Sequence, residues 1–213
     1  MRLVLARHGE TDWNRQGRVQ GRSDIELNET GRKQAEAMAR ALRNTPVKAV
    51  YASPLKRARD TASAINRFHR VDVTTLDGLR EIDAGEVDGL TYEEMSSQYG
   101  DFFEKWISDC TSVRPPGGCT LSEVQDQAWG AIQEILTRHS TTAGSSDGEE
   151  DTVIAVAHFF PILSIVCRAL GLELSECRRL KLDLASISVL DFSSSTTVLA
   201  SFNDTCHWRE DTQ

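Results

Sequence analysis

The stretch that decides the fold reads LVLARHGET and covers residues 3–11. Its apolar part, Leu3 to Ala6, has the length of a short buried strand, and Arg7 and His8 follow directly. The apolar run is too short for a signal peptide and ends in Arg-His, so we interpret it as the first strand of a sheet. A basic side chain and an imidazole at the end of a strand indicate a ligand-binding edge.

The same arrangement recurs at two later points of the chain. Val50–Ala52 leads into Ser53–Arg57, and Ile154–Ala157 is followed by His158. Ligands of open α/β sheets bind outside the carboxyl ends of the strands, so these ends are expected to meet in one pocket. The side chains that would line it are Arg7, His8, Arg57 and His158.

Short apolar runs alternate with helical patterns along most of the chain, which is typical of βα units around a mostly parallel sheet. Helices are predicted over about Thr30–Asn44, Pro54–Phe68 and Pro161–Leu170. Two final strands, Ile187–Phe192 and Thr197–Phe202, suit an antiparallel hairpin. The sequence therefore predicts an α/β fold.

The stretch from Leu79 to Gly118 loses this alternation and is interpreted as an insertion. Short helices are predicted over Tyr92–Tyr99 and Asp101–Cys110, followed by a loop at Arg114–Gly118 because of its Pro-Pro-Gly-Gly run. We expect the part at about residues 90–120 to cover the pocket. Ser140–Asp151, rich in Ser, Thr, Gly and acidic residues, is predicted to be a solvated loop.

Composition limits the classes of partner. The 213 residues carry 32 acidic and 24 basic side chains, and the net charge of -8 disfavours nucleic acid. No run approaches the ~20 apolar residues of a membrane span. The five scattered cysteines lack C-x-x-C spacing, so neither zinc nor a redox pair is predicted and a cytoplasmic location is expected.

The predicted pocket has the residue types that phosphoryl transfer needs. An arginine offers paired N–H donors that match phosphate oxygens, and its charge persists at working pH. A neutral imidazole can attack phosphorus near pH 7, since its ordinary pKa is ~6.5. Arg57 falls in the first turn of its predicted helix, where free backbone N–H groups also favour an anion. This chemistry requires no metal and no other cofactor.

The sequence resembles the histidine phosphatase superfamily, also called the phosphoglycerate mutase-like family. The likeness starts at Arg7–Thr11 with Asn14 and continues in order along nearly the whole chain. The further matches are Ser53–Ala58 with Thr61 and Ala62, Leu79–Glu81 with Gly85 and Gly89, Pro116–Gly118, and Ala157–His158. The resemblance implies a three-layer α/β/α sandwich, with a mostly parallel sheet and an antiparallel edge strand, in one domain over residues 1–213.

The resemblance also implies roles for individual residues. His8 would be the nucleophile, and Glu81 would protonate the leaving oxygen. Gln20 and Gly21 would help to hold the phosphate or the substrate. The phosphate-binding groups would be Arg7, Asn14, Arg57, His158 and the backbone N–H of Phe159.

Several of these residues have a structural alternative. Glu81 lies among other charged residues and would equally suit a solvated loop. Asn14 and Gln20 would serve as turn caps. His158 would suit a core position. Arg114 would either reach a carboxylate or second phosphate of the substrate or remain a solvated surface charge.

The chain departs from the family's pattern at two places. Phe159-Phe160-Pro161 stands where small residues usually follow the second histidine, and these rings are expected to narrow the pocket or to give it an apolar wall. Cys119 stands where Glu commonly follows Pro-Pro-Gly-Gly. Around Glu81 the chain lacks the Glu-Arg-His-Tyr-Gly segment of true mutases, which favours the phosphatase branch.

The sequence therefore predicts a metal-independent phosphatase that hydrolyses a small phosphomonoester through phosphohistidine at His8. A cofactor-dependent phosphoglycerate mutase and a non-catalytic phosphate-binding or signalling module remain alternatives. Phosphoglycerate derivatives, phosphoserine, sugar phosphates and α-ribazole phosphate are all substrates of relatives of this size, and no sequence feature selects one. An exposed sheet edge would support a homodimer.

Overall fold

A computed structural model of the chain describes residues 1–140, 151–193 and 195–208. Residues 141–150, which make up most of the predicted solvated loop, lie outside the described residues. Within the described ranges the strands are β1 (Arg2–Arg7), β2 (Val47–Ala52), β3 (Val73–Thr75), β4 (Thr152–Ala157), β5 (Ile187–Phe192) and β6 (Thr197–Asp204).

The described strands form one sheet in the order β3-β2-β4-β1-β5-β6. Strands β3, β2, β4 and β1 pair parallel with one another, whereas β5 pairs antiparallel with β1 and β6 pairs antiparallel with β5. The expected mostly parallel sheet with antiparallel pairing at one edge is confirmed. The reversed strand is β5, which lies one position inside the edge strand β6.

The described helices differ from the predicted ones mainly at their ends. They are α1 (Asp12–Arg15), α2 (Glu29–Leu42), α3 (Lys56–Asn66), α4 (Tyr92–Gln98), α5 (Gly100–Ser108), α6 (Leu121–Ser140) and α7 (Phe159–Ala169).

Helix α7 begins at Phe159, two residues before the predicted start at Pro161. A proline fits anywhere in a first turn, because the N–H groups there have no partner within the helix. His158 consequently becomes the N-cap, with an extended backbone (φ -130°, ψ -175°).

The core lies on both faces of the sheet. Leu3 and Leu5 of β1 belong to a buried cluster with α6 and α7, whereas Val4 and Ala6 belong to a cluster with α2 and α3. Successive side chains of a strand point to opposite faces, so one buried strand supplies both clusters. The three-layer α/β/α arrangement is therefore confirmed.

The end of the insertion, at residues 116–119, is held against its beginning, in the segment that follows Glu81. Gly85 has a positive φ of +54°, and a Cβ atom there would lie 2.1 Å from the Pro116 carbonyl oxygen. The Cys119 N–H donates to the Asp83 carbonyl at 3.0 Å, and the Asp83 N–H donates to the Cys119 Sγ at 3.3 Å. Cys119 thus helps to join the end of the insertion to the segment that follows Glu81. None of the described helices has the length and apolarity that crossing a bilayer requires.

Candidate active site

The candidate site lies at the carboxyl ends of β1 and β4. These strands are parallel neighbours, with Arg7 opposite Ala157, so the residues that follow them emerge side by side. The His8 N–H donates to the Ala157 carbonyl at 3.1 Å, and the ring centroids of His8 and His158 are 5.0 Å apart. The structure brings both predicted histidines together.

The hydrogen bonds of His8 determine which ring nitrogen is available. Its Nδ1 lies 2.7 Å from the Gly9 carbonyl oxygen. A carbonyl can only accept, so Nδ1 carries the proton and Nε2 carries a lone pair. Burial, followed by the positive charges of Arg57 and Arg7, lowers the pKa of His8 well below its usual value. His8 therefore presents a neutral, unprotonated nitrogen at neutral pH.

His158 has the complementary arrangement. Arg57 Nε donates to His158 Nδ1 at 3.2 Å, which places the neutral ring's proton on Nε2. This Nε2 is buried and has no hydrogen-bond partner. Burial and then the Arg57 charge lower the pKa of His158 well below its usual value. A buried donor without a partner is costly, and a phosphoryl oxygen beside His8 would satisfy it.

Arg57 is fully buried and held on several sides. It is the second residue of α3, as the predicted first-turn position required. Its Nη1 donates to the Ser23 carbonyl and its Nη2 to the Gly21 carbonyl, both at 2.8 Å. Burial lowers the pKa of Arg57 to about 10, so the guanidinium remains protonated at neutral pH. Arg57 thus supplies a fixed positive charge next to His158.

Gln20 and Gly21 mainly position Arg57. With the Gln20 amide nitrogen donating to Thr11 Oγ1 at 2.6 Å, the Gln20 oxygen accepts from Arg57 at 3.0 and 3.1 Å. A Cβ atom on Gly21 would lie 2.8 Å from the Ile82 carbonyl oxygen, so glycine allows this close approach. Gln20 also lines the cavity, whereas the described lining does not include Gly21.

Arg7 lies on the cavity wall beside His8. Its Nη1 donates to the Leu182 carbonyl at 2.6 Å, and its guanidinium carbon lies 5.0 Å from the ring centroid of Phe159. Its Nε is buried without a partner. Burial lowers the pKa of Arg7 to about 10, which leaves it charged at neutral pH. The orphan Nε and the charge suit an anionic ligand.

Glu81 is 5% exposed, which does not fit the alternative of a solvated loop residue. Its Oε1 accepts from the N–H groups of Ile82 (2.9 Å) and Phe160 (3.2 Å), and its Oε2 accepts from Phe159 (3.0 Å). Burial raises the pKa of Glu81, although these N–H groups and the nearby arginines act in the opposite direction. A cavity-lining carboxyl group with a raised pKa is suited to donate a proton.

The sequence suggested that the backbone N–H of Phe159 binds phosphate, but in this structure that N–H donates to Glu81. The Glu81 carboxylate already accepts it at the first turn of α7. A helix N-terminus favours a negative group, and here a side chain of the protein takes that position. Contact between this N–H and phosphate would require Glu81 to move away.

The other predicted residues occupy different settings. Asn14 lines the cavity and also caps α1, with its Oδ1 accepting from Thr11. Arg114 is exposed, and it donates to Glu123 Oε1 at 2.8 Å and to the Gly118 carbonyl at 3.0 Å. The described cavity lining does not include Arg114. These contacts favour the surface alternative, and the substrate-binding role of Arg114 stays a prediction.

The cavity beside His8 has a volume of about 300 Å³. Phe159 and Phe160 line this cavity, in agreement with the apolar wall expected from the sequence. Sequence reasoning did not assign a role to a group of lining residues from the loop after α1 and the insertion, namely Arg18, Tyr92, Met95, Phe102 and Trp106. Phe102 and Trp106 are four residues apart on α5, and this helical spacing was the signal available in the sequence.

Comparison with known proteins agrees with this geometry. Residues 3–205 match the family model of the histidine phosphatase superfamily, branch 1. The chain belongs to this superfamily. The resemblance inferred from its motifs is therefore confirmed.

Two curated relatives of this superfamily member are named phosphatases. Phosphoserine phosphatase 1 of Hydrogenobacter thermophilus is 34% identical, and the matched region covers 99% of this chain and 95% of that protein. A metal-independent phosphoserine phosphatase of Arabidopsis thaliana is 33% identical, over 96% of this chain and 82% of its own. A solved mycobacterial glucosyl-3-phosphoglycerate phosphatase in complex with VO3 superposes with a TM-score of 0.86 at 28% identity, covering 96% of this chain and 99% of that one.

In the part of the chain that the structure describes, no group of three or more His, Cys, Asp or Glu side chains is arranged to hold a metal ion. The cationic groups near His8 are instead the guanidinium groups of Arg7 and Arg57.

Proposed function

We propose that this protein hydrolyses a small phosphomonoester without a metal, through a phosphohistidine on His8. The observation that carries the proposal is the unprotonated Nε2 of His8, which shares the cavity with the charged Arg7 and the buried carboxyl of Glu81. The family and the phosphatase names of its relatives support a phosphoric monoester hydrolase. The assignment of each residue below belongs to the proposal.

In the first half-reaction, the His8 Nε2 lone pair attacks phosphorus. The N–P bond forms while the bond from phosphorus to the ester oxygen breaks, and that oxygen takes the proton of Glu81 as it leaves as an alcohol. Arg7, Arg57 and the unpartnered His158 Nε2–H would stabilise the transferring phosphoryl oxygens. The Nδ1–H bond to Gly9 balances the positive charge that develops on the His8 ring.

In the second half-reaction, water attacks the phosphorus of phosphohistidine. The ionised Glu81 accepts a proton from this water, the N–P bond breaks, and inorganic phosphate leaves. His8 regains its Nε2 lone pair, and Glu81 is again protonated. The cycle therefore closes with no other reactant than ester and water.

The proposal is tested by trapping the intermediate. The protein is mixed with a radiolabelled phosphomonoester, quenched in alkali, digested and mapped. Label is expected on the peptide that holds His8, because phosphohistidine survives alkali, and none is expected on the peptide that holds His139. Turnover without label at His8, or label that survives acid as a phosphoserine would, contradicts the proposed nucleophile.

We extend the proposal to the setting of the protein. Its substrate would be a small phosphorylated metabolite, and the insertion at about residues 90–120 would choose it within a single domain. Cys110, Cys119, Cys167 and Cys177 are free thiols, which suits a reducing cytoplasm. A homodimer remains a prediction from the exposed sheet edge.

A further inference from the structure

The cavity has a second part beyond the groups that would act on phosphate. Its wall there is largely apolar and comes from the segment after Glu81, from the insertion and from α7. We call this part the aromatic wall, formed by Val87, Tyr92, Met95, Phe102, Trp106 and Phe160.

The rings of the aromatic wall touch one another from α5 to α7. The centroids of Phe102 and Trp106 are 5.6 Å apart, those of Trp106 and Phe160 are 5.7 Å apart, and those of Phe160 and Phe159 are 5.1 Å apart. The last two pairs have edge-to-face geometry. Phe159 in turn carries the Arg7 guanidinium over its face. The wall therefore begins beside the phosphate-binding groups and continues into the insertion.

These rings are not completely buried by the protein itself. Phe102, Trp106 and Phe160 are half-buried, and Tyr92 is 64% exposed. Half-buried aromatic faces in a concave site offer contact area to a ligand, and stacked or edge-to-face rings attract one another beyond simple burial. A ligand with a ring or a broad apolar group would cover this surface.

The aromatic wall offers little to a charged organic group. Among the described residues that line the cavity outside the reacting groups, Arg18 carries the one charge. It already donates to the Gly89 carbonyl at 2.7 Å and to Glu94 at 3.2 Å. Burying a substrate ammonium or carboxylate against apolar side chains without a partner is costly.

We propose that the alcohol part of the substrate is aromatic or apolar, so that the protein prefers phosphomonoesters of such alcohols to phosphoserine or phosphoglycerate. The inference rests on the proposed function and narrows its substrate. Two relatives are named phosphoserine phosphatases, so the proposal assigns this chain a different preference from theirs.

The first test compares kcat/KM for phenethyl phosphate, glycerol phosphate and phosphoserine. All three are esters of primary alcohols, so differences in leaving-group reactivity are small. Phenethyl phosphate is expected to exceed each of the others by about tenfold or more. Phosphoserine or glycerol phosphate turned over equally well would overturn the inference and leave the proposed function standing. Absence of turnover with every ester overturns both.

The second test removes the rings. Trp106→Leu and Phe160→Leu are expected to lower kcat/KM for phenethyl phosphate by about tenfold, while kcat/KM for ethyl phosphate changes by less than about twofold. Phe68→Leu is the matched control, because Phe68 is 49% exposed and lies outside the described lining. Equal losses with both esters contradict a role in selecting the substrate.

A third test uses the unaltered protein, so it does not depend on any variant folding. Benzylphosphonate and methylphosphonate carry the same phosphonate group and differ in the ring. Benzylphosphonate is expected to inhibit about tenfold more tightly as a competitor. Equal inhibition constants would show that the wall does not bind the ring.

Discussion

The two parts of the cavity are built in different ways. The groups that we propose to act on phosphate are buried and held by backbone carbonyls or by one another; of His8, Arg57 and His158, the described cavity lining includes His8, and the other two lie directly behind it. The aromatic wall comes mainly from α4, α5 and α7, and its half-buried rings Phe102, Trp106 and Phe160 contact one another. A site made in this way can keep its chemistry while its substrate preference changes, because the wall can vary without moving the strand ends.

The largest effect that this comparison predicts comes from the nucleophile. His8→Ala is expected to lower kcat by at least about 10⁴-fold for every ester, because it removes the unprotonated Nε2 that would attack phosphorus beside Arg7. His139→Ala serves as the control, because His139 lies in the last turn of α6 and outside the described cavity lining. Steady-state hydrolysis of p-nitrophenyl phosphate measures the loss, and a variant that kept a tenth of the activity would assign the nucleophile elsewhere.

The next largest effect is expected from Glu81, the proposed proton donor. Glu81→Gln keeps the size of the side chain and one oxygen that can accept from an N–H group of α7, but it cannot act as an acid. It is expected to lower kcat by roughly 10²–10⁴-fold for an alkyl phosphate, and by much less for p-nitrophenyl phosphate, whose leaving group needs no proton. Glu123→Gln, on the surface, is the matched control. Equal losses with both esters would contradict the role of Glu81 as general acid.

The buried imidazoles predict how stability depends on pH. The pKa values of His8 and His158 are lowered in the folded chain, so below the unfolded value of ~6.5 the unfolded chain binds more protons. Their contribution to stability is present above that pH and is lost as the pH falls toward the folded values. The Tm is expected to drop between about pH 7.5 and 5.5.

The variant His158→Asn tests the contribution of His158 to this pH dependence of the Tm. The variant removes one of the two depressed pKa values, so its Tm should fall less steeply with acid than that of the unaltered protein. Calorimetry at a series of pH values measures both curves. Parallel curves would mean that the buried His158 ring does not resist protonation.

The smallest effect concerns a residue outside both parts of the cavity. Arg114→Ala is expected to change kcat/KM by no more than about twofold, because Arg114 pairs with Glu123 at the surface. A carboxylate-bearing ester such as phosphoglycerate is the most sensitive substrate for this measurement. A selective loss with that ester would restore a substrate-binding role for Arg114 and extend the site beyond the aromatic wall.

The sequence predicted that Arg7, His8, Arg57 and His158 would come together, because each position follows from local structure. An apolar run ends, and the next residue necessarily emerges at the carboxyl edge of the sheet. This logic identified Arg7, His8 and His158, and the helix start after Pro54 identified Arg57. Residues such as Phe102 and Trp106 were missed, because the local sequence does not determine which face of a short helix in the insertion lies against the cavity.

The sequence by itself determined the order of strands and helices and the set of groups that would meet at the strand ends, because these depend on periodicity and on adjacent residues. Its motifs also carried the resemblance to the superfamily. The tertiary structure alone decided that Glu81 accepts from the N–H groups of α7, that Gln20 and Gly21 hold Arg57, and that rings of the insertion join Phe160 along the cavity. Those contacts join segments far apart in the chain, and packing in three dimensions is what selects them.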